Sequence, residues 1–382
     1  MCRRVHITLV GREAAPVYNA VAALSPDYIV YIYSDSLDST NALVALKNEI
    51  KTPSEEHVYP VTNPQEIKDL TVSLAEKFKK DSVTVNITSG LKSWAYWFSI
   101  VFEKQENASV VYIDQNNFLW DYKTMQVVEN ENFDMHTFFR LYGNSIDNNY
   151  TDFADYTDKD HIVAKEIENI RKFNIKEFNC IATVLSKPYE QLLKNAKNGT
   201  FESPNGSYVN WEKPSSPGDN GRVTVCLVKY NGNRLEKALV SPHVIDLFFS
   251  SGWFEFKVAA ILSKWPCAKA IYMNCRFPFN PNMDKNEVDI LVNTGTKVLF
   301  VECKTQINNT VDIDKFRSVI KKYGGMGSKG LFITDAVMTD FAVQKCDDNA
   351  LLHFSLQQPS LIPIEQALYM LLDSELYNIN AR

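Results

Sequence analysis

"EVDILVNTGTKVLFVECKT", residues 287–305, decides how the second half of this chain folds. Two runs of apolar, strand-forming residues flank a Thr294-Gly295 pair, which is a β-hairpin signature. The second run, Val298–Val301, is unbroken and ends on Glu302-Cys303-Lys304, while the first carries Asp289. With Thr294-Gly295 as a two-residue loop, Asn293 faces Thr296 and Asp289 sits opposite Phe300. Glu302 is then its diagonal neighbour, and Lys304 shares that face because strand side chains alternate. A two- or four-residue loop keeps this parity; a three-residue loop breaks it. The triplet alone says little, since the chain holds five acid-x-Lys triplets, starting at Glu49, Glu66, Asp121, Glu255 and Glu302. Only Glu302 follows an unbroken apolar strand with a second acid on the strand before it.

Two carboxylates side by side are costly unless a cation lies between them. Oxygen ligands on an open site suit Mg²⁺ or Mn²⁺. Such an ion binds a scissile phosphate and acidifies a water, and a lysine stabilises the charge that develops. That set of roles describes phosphodiester hydrolysis. The plainer reading is a salt-bridged hairpin, Glu302 with Lys304 or Asp289 with a nearby lysine.

Asp289 followed across a hairpin by Glu302-x-Lys304 resembles the PD-(D/E)xK restriction-endonuclease-like superfamily. The resemblance implies catalytic roles for Asp289, Glu302 and Lys304, and for Glu255 in "GWFEFKVAAIL", which matches the acid many members carry on a preceding helix. It also implies metal ligation by Asp289, Glu302 and the backbone carbonyl of Cys303. Asn286-Glu287-Val288-Asp289 departs from the literal Pro-Asp and leaves the aspartate as the signal. Glu287 has the parity of a secondary ligand, and Gln306 lies two residues beyond Lys304.

The chain has 382 residues, 45 % of them hydrophobic and 12 % aromatic, enough for two cores. A net charge of −6 speaks against a broad nucleic-acid coat but not against a local basic groove. The seven cysteines (2, 180, 226, 267, 275, 303, 346) form no C-x-x-C pair, and the six histidines form no H-x-x-x-H. Reduced thiols and the lack of a membrane-length apolar run make a cytoplasmic protein without membrane contact the expectation.

The first half alternates strand and helix: Val5–Val10, Tyr28–Tyr33, His57–Val61, Ser82–Ile87 and Ser109–Ile113 are strand-like. Helices are expected over Pro16–Leu24, to Ile50 with Asp38 as cap, Pro64–Lys79 capped by Asn63, and Leu91–Glu103. Repeated βα units with continuous apolar strands imply a parallel, Rossmann-like sheet, closed by a hairpin over Phe118–Tyr122 and Met125–Val128. In "VNITSGLKSWAYWF" (85–98) a strand runs into Thr88-Ser89-Gly90, with Lys92 on the first helical turn; this reads as an anion or ribose-phosphate cradle at the sheet's carboxyl edge or, more plainly, as a helix cap with a solvated lysine. Val85 stands where a Walker A loop needs glycine, so that motif is rejected.

A Rossmann-like domain with a T-S-G-x-K turn after its fourth strand resembles the CARF domain of type III CRISPR systems. Joined to a PD-(D/E)xK nuclease, it is similar to the ancillary nucleases activated by cyclic oligoadenylate. The fold class implied is α/β, an N-terminal Rossmann-like CARF domain (1–145), a linker and helical segment (146–197) and a C-terminal restriction-endonuclease-like α/β domain (198–382). The resemblance further implies a homodimer enclosing one cyclic oligoadenylate, cyclic tetra-adenylate foremost, and a DNA or RNA substrate. Its ring contacts would be Thr88, Ser89, Gly90 and Lys92, with Gly11, Arg12, Ser34 and Ser36 from the loops after the first two strands. Glu13 and Asp35 are odd neighbours for a polyphosphate. The alternatives are a constitutive restriction- or repair-type endonuclease and a non-catalytic, nucleotide-sensing nucleic-acid-binding regulator.

Overall fold

A computed structural model describes residues 3–114, 118–128, 134–183, 187–277, 286–295, 297–307, 310–324 and 328–377. Five parallel strands, β1 (Arg4–Leu9), β2 (Tyr28–Tyr33), β3 (Ser54–Val58), β4 (Ser82–Asn86) and β5 (Ala108–Ile113), alternate with helices α1 (Ala15–Leu24), α2 (Leu37–Glu49), α3 (Pro64–Lys77) and α4 (Lys92–Glu103). The sheet order is β3-β2-β1-β4-β5, extended by the antiparallel hairpin β6 (Leu119–Asp121) and β7 (Gln126–Val128); α5 (Met135–Leu141) follows. Asn63 caps α3, accepting from the Glu66 N–H at 3.3 Å. The cap of α2 is Ser36 rather than Asp38, which instead places its charge in the first turn, where the helix dipole favours it. β3 begins and ends three residues before the expected His57–Val61, overlapping it at His57 and Val58.

Ile7 and Leu9 pack with Leu74, Phe98 and Phe102 on one face of this sheet. His6 is fully buried on the other face, and neither ring nitrogen has a partner. Burial lowers its pKa from 6.5 to about 3. A depressed pKa means neutral His6 supports folding fully above pH 6.5, and the support is lost as pH falls from there towards 3. The loss amounts to at most about 1.4 kcal/mol per pH unit. His6→Asn is expected to reduce the drop in melting temperature between pH 7.5 and pH 5; equal drops in both proteins would assign acid sensitivity elsewhere.

The second half begins with β8 (Thr151–Asp152), then α6 (Asp158–Phe173), α7 (Ile175–Ala182) and α8 (Lys187–Asn195). An antiparallel sheet follows, in the order β12-β11-β10-β9, from β9 (Asn198–Glu202), β10 (Tyr208–Glu212), β11 (Gly221–Val228) and β12 (Arg234–Ser241). After α9 (Val244–Phe248) and α10 (Gly252–Leu262) come β13 (Ala270–Phe277), β14 (Asn286–Asn293), β15 (Val298–Lys304), α11 (Val311–Tyr323), β16 (Lys329–Thr334), α12 (Asp340–Asp348), β17 (Leu352–Ser355) and α13 (Ile364–Tyr377). The main sheet runs β17-β16-β15-β14-β13-β8, parallel from β15 to β17 and antiparallel elsewhere. The protein is thus mixed α/β.

The stretch expected to link the halves is part of the second core: Val163, Ile167 and Ile170 of α6 pack with Phe248, Trp253 and Val258. A different apolar cluster joins the halves directly. Val17, Leu43 and Phe139 of the first meet Phe277, Phe300, Phe316 and Phe332 of the second, with the Phe139 ring 5.0 Å from Phe277 and 6.2 Å from Phe300. No helix among the described residues is long and apolar enough to cross a membrane.

Candidate active site

The hairpin forms with a different register from the one expected. Asn293 pairs with Val298, so the loop is the four residues 294–297, closed by the Thr294 N–H donating to the Lys297 carbonyl at 3.0 Å. Thr296, the expected partner of Asn293, lies outside the described residues. Carried one pair beyond Ile290–Val301, the ladder sets Asp289 across from Glu302, not from Phe300. On the other side of β14, the pairs Met273–Ile290 and Cys275–Val288 flank a gap at Asn274 and Asp289, and Asn274 takes φ 56. Met273 and Ile290 belong to one core and Cys275 and Val288 to the other, so both strands change faces at this point. Asp289 Oδ2 accepts the Cys303 N–H at 2.7 Å. In an extended strand N–H and C=O leave on the same side, so the Cys303 carbonyl is also turned towards β14 and Asp289.

Lys304 Nζ donates to Glu302 Oε1 at 2.5 Å. Taken alone, that is the salt bridge of the plainer reading. Glu255 changes the balance. It reaches the strands from α10, whose start is unusually tight: Ser250 and Ser251 both have left-handed φ (53 and 69). At Gly252 a Cβ would lie 1.8 Å from the Asp246 carbonyl oxygen, so only glycine fits. The result is three carboxylates against one ammonium.

The electrostatics follow. Burial raises the pKa of Glu255 well above the usual range, with the Asp289 charge adding to it. Burial also raises Asp289, against the opposing pull of Lys304. Glu302 is pushed up to about 7 by burial and then by Asp289. On Lys304 burial acts to lower the pKa, but Asp289 and Glu302 outweigh it and hold the ammonium protonated. Among the described residues no three His, Cys, Asp or Glu side chains form a metal cage. Asp289, Glu302 and the Cys303 carbonyl are instead a set of two carboxylates and one neutral oxygen, which suits a small hard cation that keeps several waters. An acidic cluster short of positive charge fits such an ion.

Not every expected residue joins the cluster. Glu287 lies near enough for its charge to raise Glu255 and Asp289 but is paired with Arg276 at 3.1 Å, and Gln306 is exposed beyond the end of β15. Lys321 and Lys322 line a cavity shared with Arg12 and Arg140, and Lys329 pairs with Glu375 at 3.9 Å, so neither group faces Glu255. The turn expected over Gly324–Gly327 falls largely outside the described residues. Sequence reading missed a second charged group beside the strands. Arg171 of α6 meets Asp335 at 3.3 Å, Lys257 meets Glu168 at 3.2 Å, and the Asp335 N–H donates to the Lys304 carbonyl. Residues from three distant segments make it, so no local signal announces it.

In the first half, a cavity of about 210 Å³ at the carboxyl edge of the sheet is lined by Gly11, Arg12, Ser34, Ser36, Gly90 and Trp94. Thr88, Ser89 and Lys92 do not line it. The Thr88 hydroxyl donates to Asn86 Oδ1 (2.6 Å) and accepts the Ile113 N–H (2.8 Å), fixing the turn to β5. Ser89 Oγ accepts the Gly11 N–H at 3.0 Å and ties the first loop to the fourth. Gly90 has φ 80, and a Cβ there would sit 2.8 Å from Leu9 Cβ. Lys92 is exposed at the start of α4. Glu13 turns inward, accepting from the Tyr142 hydroxyl at 2.6 Å, and Asp35 is exposed.

A scan of protein-family models finds none that matches, and a search of curated proteins finds no match. Solved structures do share the fold. Can2 from Sulfobacillus thermosulfidooxidans, determined in complex with cyclic tetra-adenylate, aligns with a TM-score of 0.61 at 16 % identity, covering 97 % of each chain. Protein VC1899 from Vibrio cholerae aligns at 0.64 and 13 % identity over 98 % of this chain and 97 % of that one. A type III CRISPR defence DNA nuclease activated by cyclic oligoadenylate aligns at 0.54 and 14 % identity, covering 99 % of this chain but 52 % of the other. The chain therefore has the two-part α/β fold of these proteins.

Proposed function

We propose that this chain is a metal-dependent nuclease of type III CRISPR defence, switched on when a cyclic oligoadenylate binds between the N-terminal halves of a homodimer. The observation that carries the reading is the Lys304–Glu302 contact beside Asp289 and beneath Glu255. Asp289, Glu302 and the Cys303 carbonyl would hold Mg²⁺ or Mn²⁺, and the ion would supply Lewis-acid chemistry to the phosphodiester there. Lys304, protonated between its acids, offers its ammonium where negative charge grows on the phosphate. Partial burial at the strand ends lowers the local dielectric and strengthens these interactions. In the first half, the loops holding Gly11, Arg12, Ser34, Ser36 and Gly90 would cradle one face of the ring, with Thr88 and Ser89 shaping them and Lys92 at the rim. A ring touching both protomers can favour one dimer arrangement and so bias two distant sites.

The test is cleavage of plasmid, single-stranded DNA and RNA with Mg²⁺ or Mn²⁺, without activator and with cyclic tri-, tetra- and hexa-adenylate. Cleavage that depends on cyclic tetra-adenylate is expected. Equal cleavage without any ring would make the enzyme constitutive, and ring binding with no cleavage would leave only a sensor.

A further inference from the structure

The groove that Glu255 and Glu287 border has a volume of about 770 Å³, and its far wall carries Lys194 of α8 and Lys213, which follows β10. A second cavity of about 630 Å³ lies on the other side of Lys213, lined by Thr157, Pro214–Gly218, Pro242 and His243. Lys213 borders both. So do neighbouring residues of two segments: Tyr156 and Asp246 face the first cavity, Thr157 and His243 the second. The two cavities therefore meet along Tyr156, Lys213 and residues 243–246.

The cations along this path are not equivalent. Lys194 pairs with Glu190, and Arg276 with Glu287. Lys213 forms no ion pair with a carboxylate among the described residues; its ammonium donates to the Lys194 carbonyl at 2.8 Å. It still lies near enough to Asp246 to lower that carboxyl's pKa against burial, which raises it. His243 is fixed by Asp160, through its backbone N–H at 3.0 Å and ring Nδ1 at 3.1 Å, leaving Nε2 as the remaining polar atom of the ring. The Tyr156 ring leans on it, with centroids 4.4 Å apart. A lysine without an ion pair, an aromatic ring and a fixed imidazole, lining the two cavities that begin at Glu255, form a track for a sugar-phosphate backbone.

We infer that the nucleic-acid strand leaves the active site along this groove, with Lys213 gripping a phosphate other than the scissile one and Tyr156 and His243 lining its course. The inference rests on the nuclease reading but concerns binding, not chemistry. The experiment titrates full-length Glu302→Gln protein, with cyclic tetra-adenylate and Mg²⁺, into fluorescein-labelled oligothymidine and oligouridine over a range of salt. In that background Lys213→Glu is expected to weaken binding about tenfold and to lower the slope of log affinity against log salt by about 1. Lys213→Gln, which keeps the stem, should fall between. Lys165→Glu, an exposed lysine of α6 outside both cavities, should change little. Loss with one oligonucleotide or both supports the track and tells which sugar it accepts. Unchanged affinity in both Lys213 variants, beside a parent that binds, overturns the track and leaves the nuclease reading intact. A parent that binds neither oligonucleotide, with wild-type protein that cleaves nothing, overturns both.

Discussion

Glu302→Gln is expected to abolish cleavage and, at the same time, to raise the melting temperature of the protein measured in EDTA. Both effects come from one source. Glu302 is only 15 % exposed and shares a buried strand end with Asp289, each carboxylate opposing ionisation of the other. An amide of the same shape removes that repulsion and keeps the contact with Lys304, so the folded state gains. The acidic cluster has then lost one of its two carboxylate donors for a cation and keeps only a neutral amide oxygen there. A drop in turnover of about 10²–10³-fold or more follows from losing one such electrostatic element. Lys304→Ala should be equally inactive but less stable, because it leaves two buried carboxylates without their counter-charge. Both variants should bind cyclic tetra-adenylate like wild type, since the proposed ring site lies on other strands. Full activity in either variant would remove the residue from the reaction. A melting temperature that fell in Glu302→Gln would show that the cluster stabilises the fold rather than straining it.

The second large effect is expected at Gly90. Its φ of 80 is a conformation that L-residues adopt at a cost of about 1–2 kcal/mol. An added Cβ would also press on Leu9 Cβ at 2.8 Å and Trp94 Cε3 at 3.1 Å. The strands and helix that it touches carry the proposed ring site, so the turn must shift there. A distortion of about 1–3 kcal/mol corresponds to roughly five- to 150-fold weaker ring binding. Gly90→Ala should therefore need far more activator, with cleavage recovering at saturation. Gly232→Ala is the control: its φ of 82 imposes the same backbone cost, yet nothing lies within 4 Å of its added Cβ. Equal activator responses in the two variants would show that only global stability had been tested.

The first half of the fold was legible because parallel strands buried on both faces are written as continuous apolar runs, and a capped helix such as α3 carries its own punctuation. β13 and β12 were not. Ala270–Phe277 alternates buried and half-exposed residues, and "RLEKALVS" over Arg234–Ser241 is polar on one side, so neither stands out from loop. The gathering of Asp289, Glu302 and Lys304 was foreseen through a parity argument that held for the wrong loop length. Four residues turn the hairpin because Asn293 Oδ1 accepts the Gly295 N–H while Thr294 reaches across to Lys297. The face change at Asn274 and Asp289 had no sequence mark, since a left-handed asparagine is a backbone property. Lys213, Tyr156 and the Arg171–Asp335 pair come from segments far apart in the chain, and only the folded sheet order brings them to the strand ends.

The apolar cluster in which Phe139 meets Phe277 and Phe300 has a consequence for how such a protein can be cut and recombined. A chain whose recognition and effector parts hung on a tether could trade either one for another by swapping genes at the joint. Here the joint runs through packed aromatic rings, so separating the parts would expose them to water on both pieces. A graft would succeed only if the donor brought matching rings, and lineages of this architecture would be expected to inherit the two parts together.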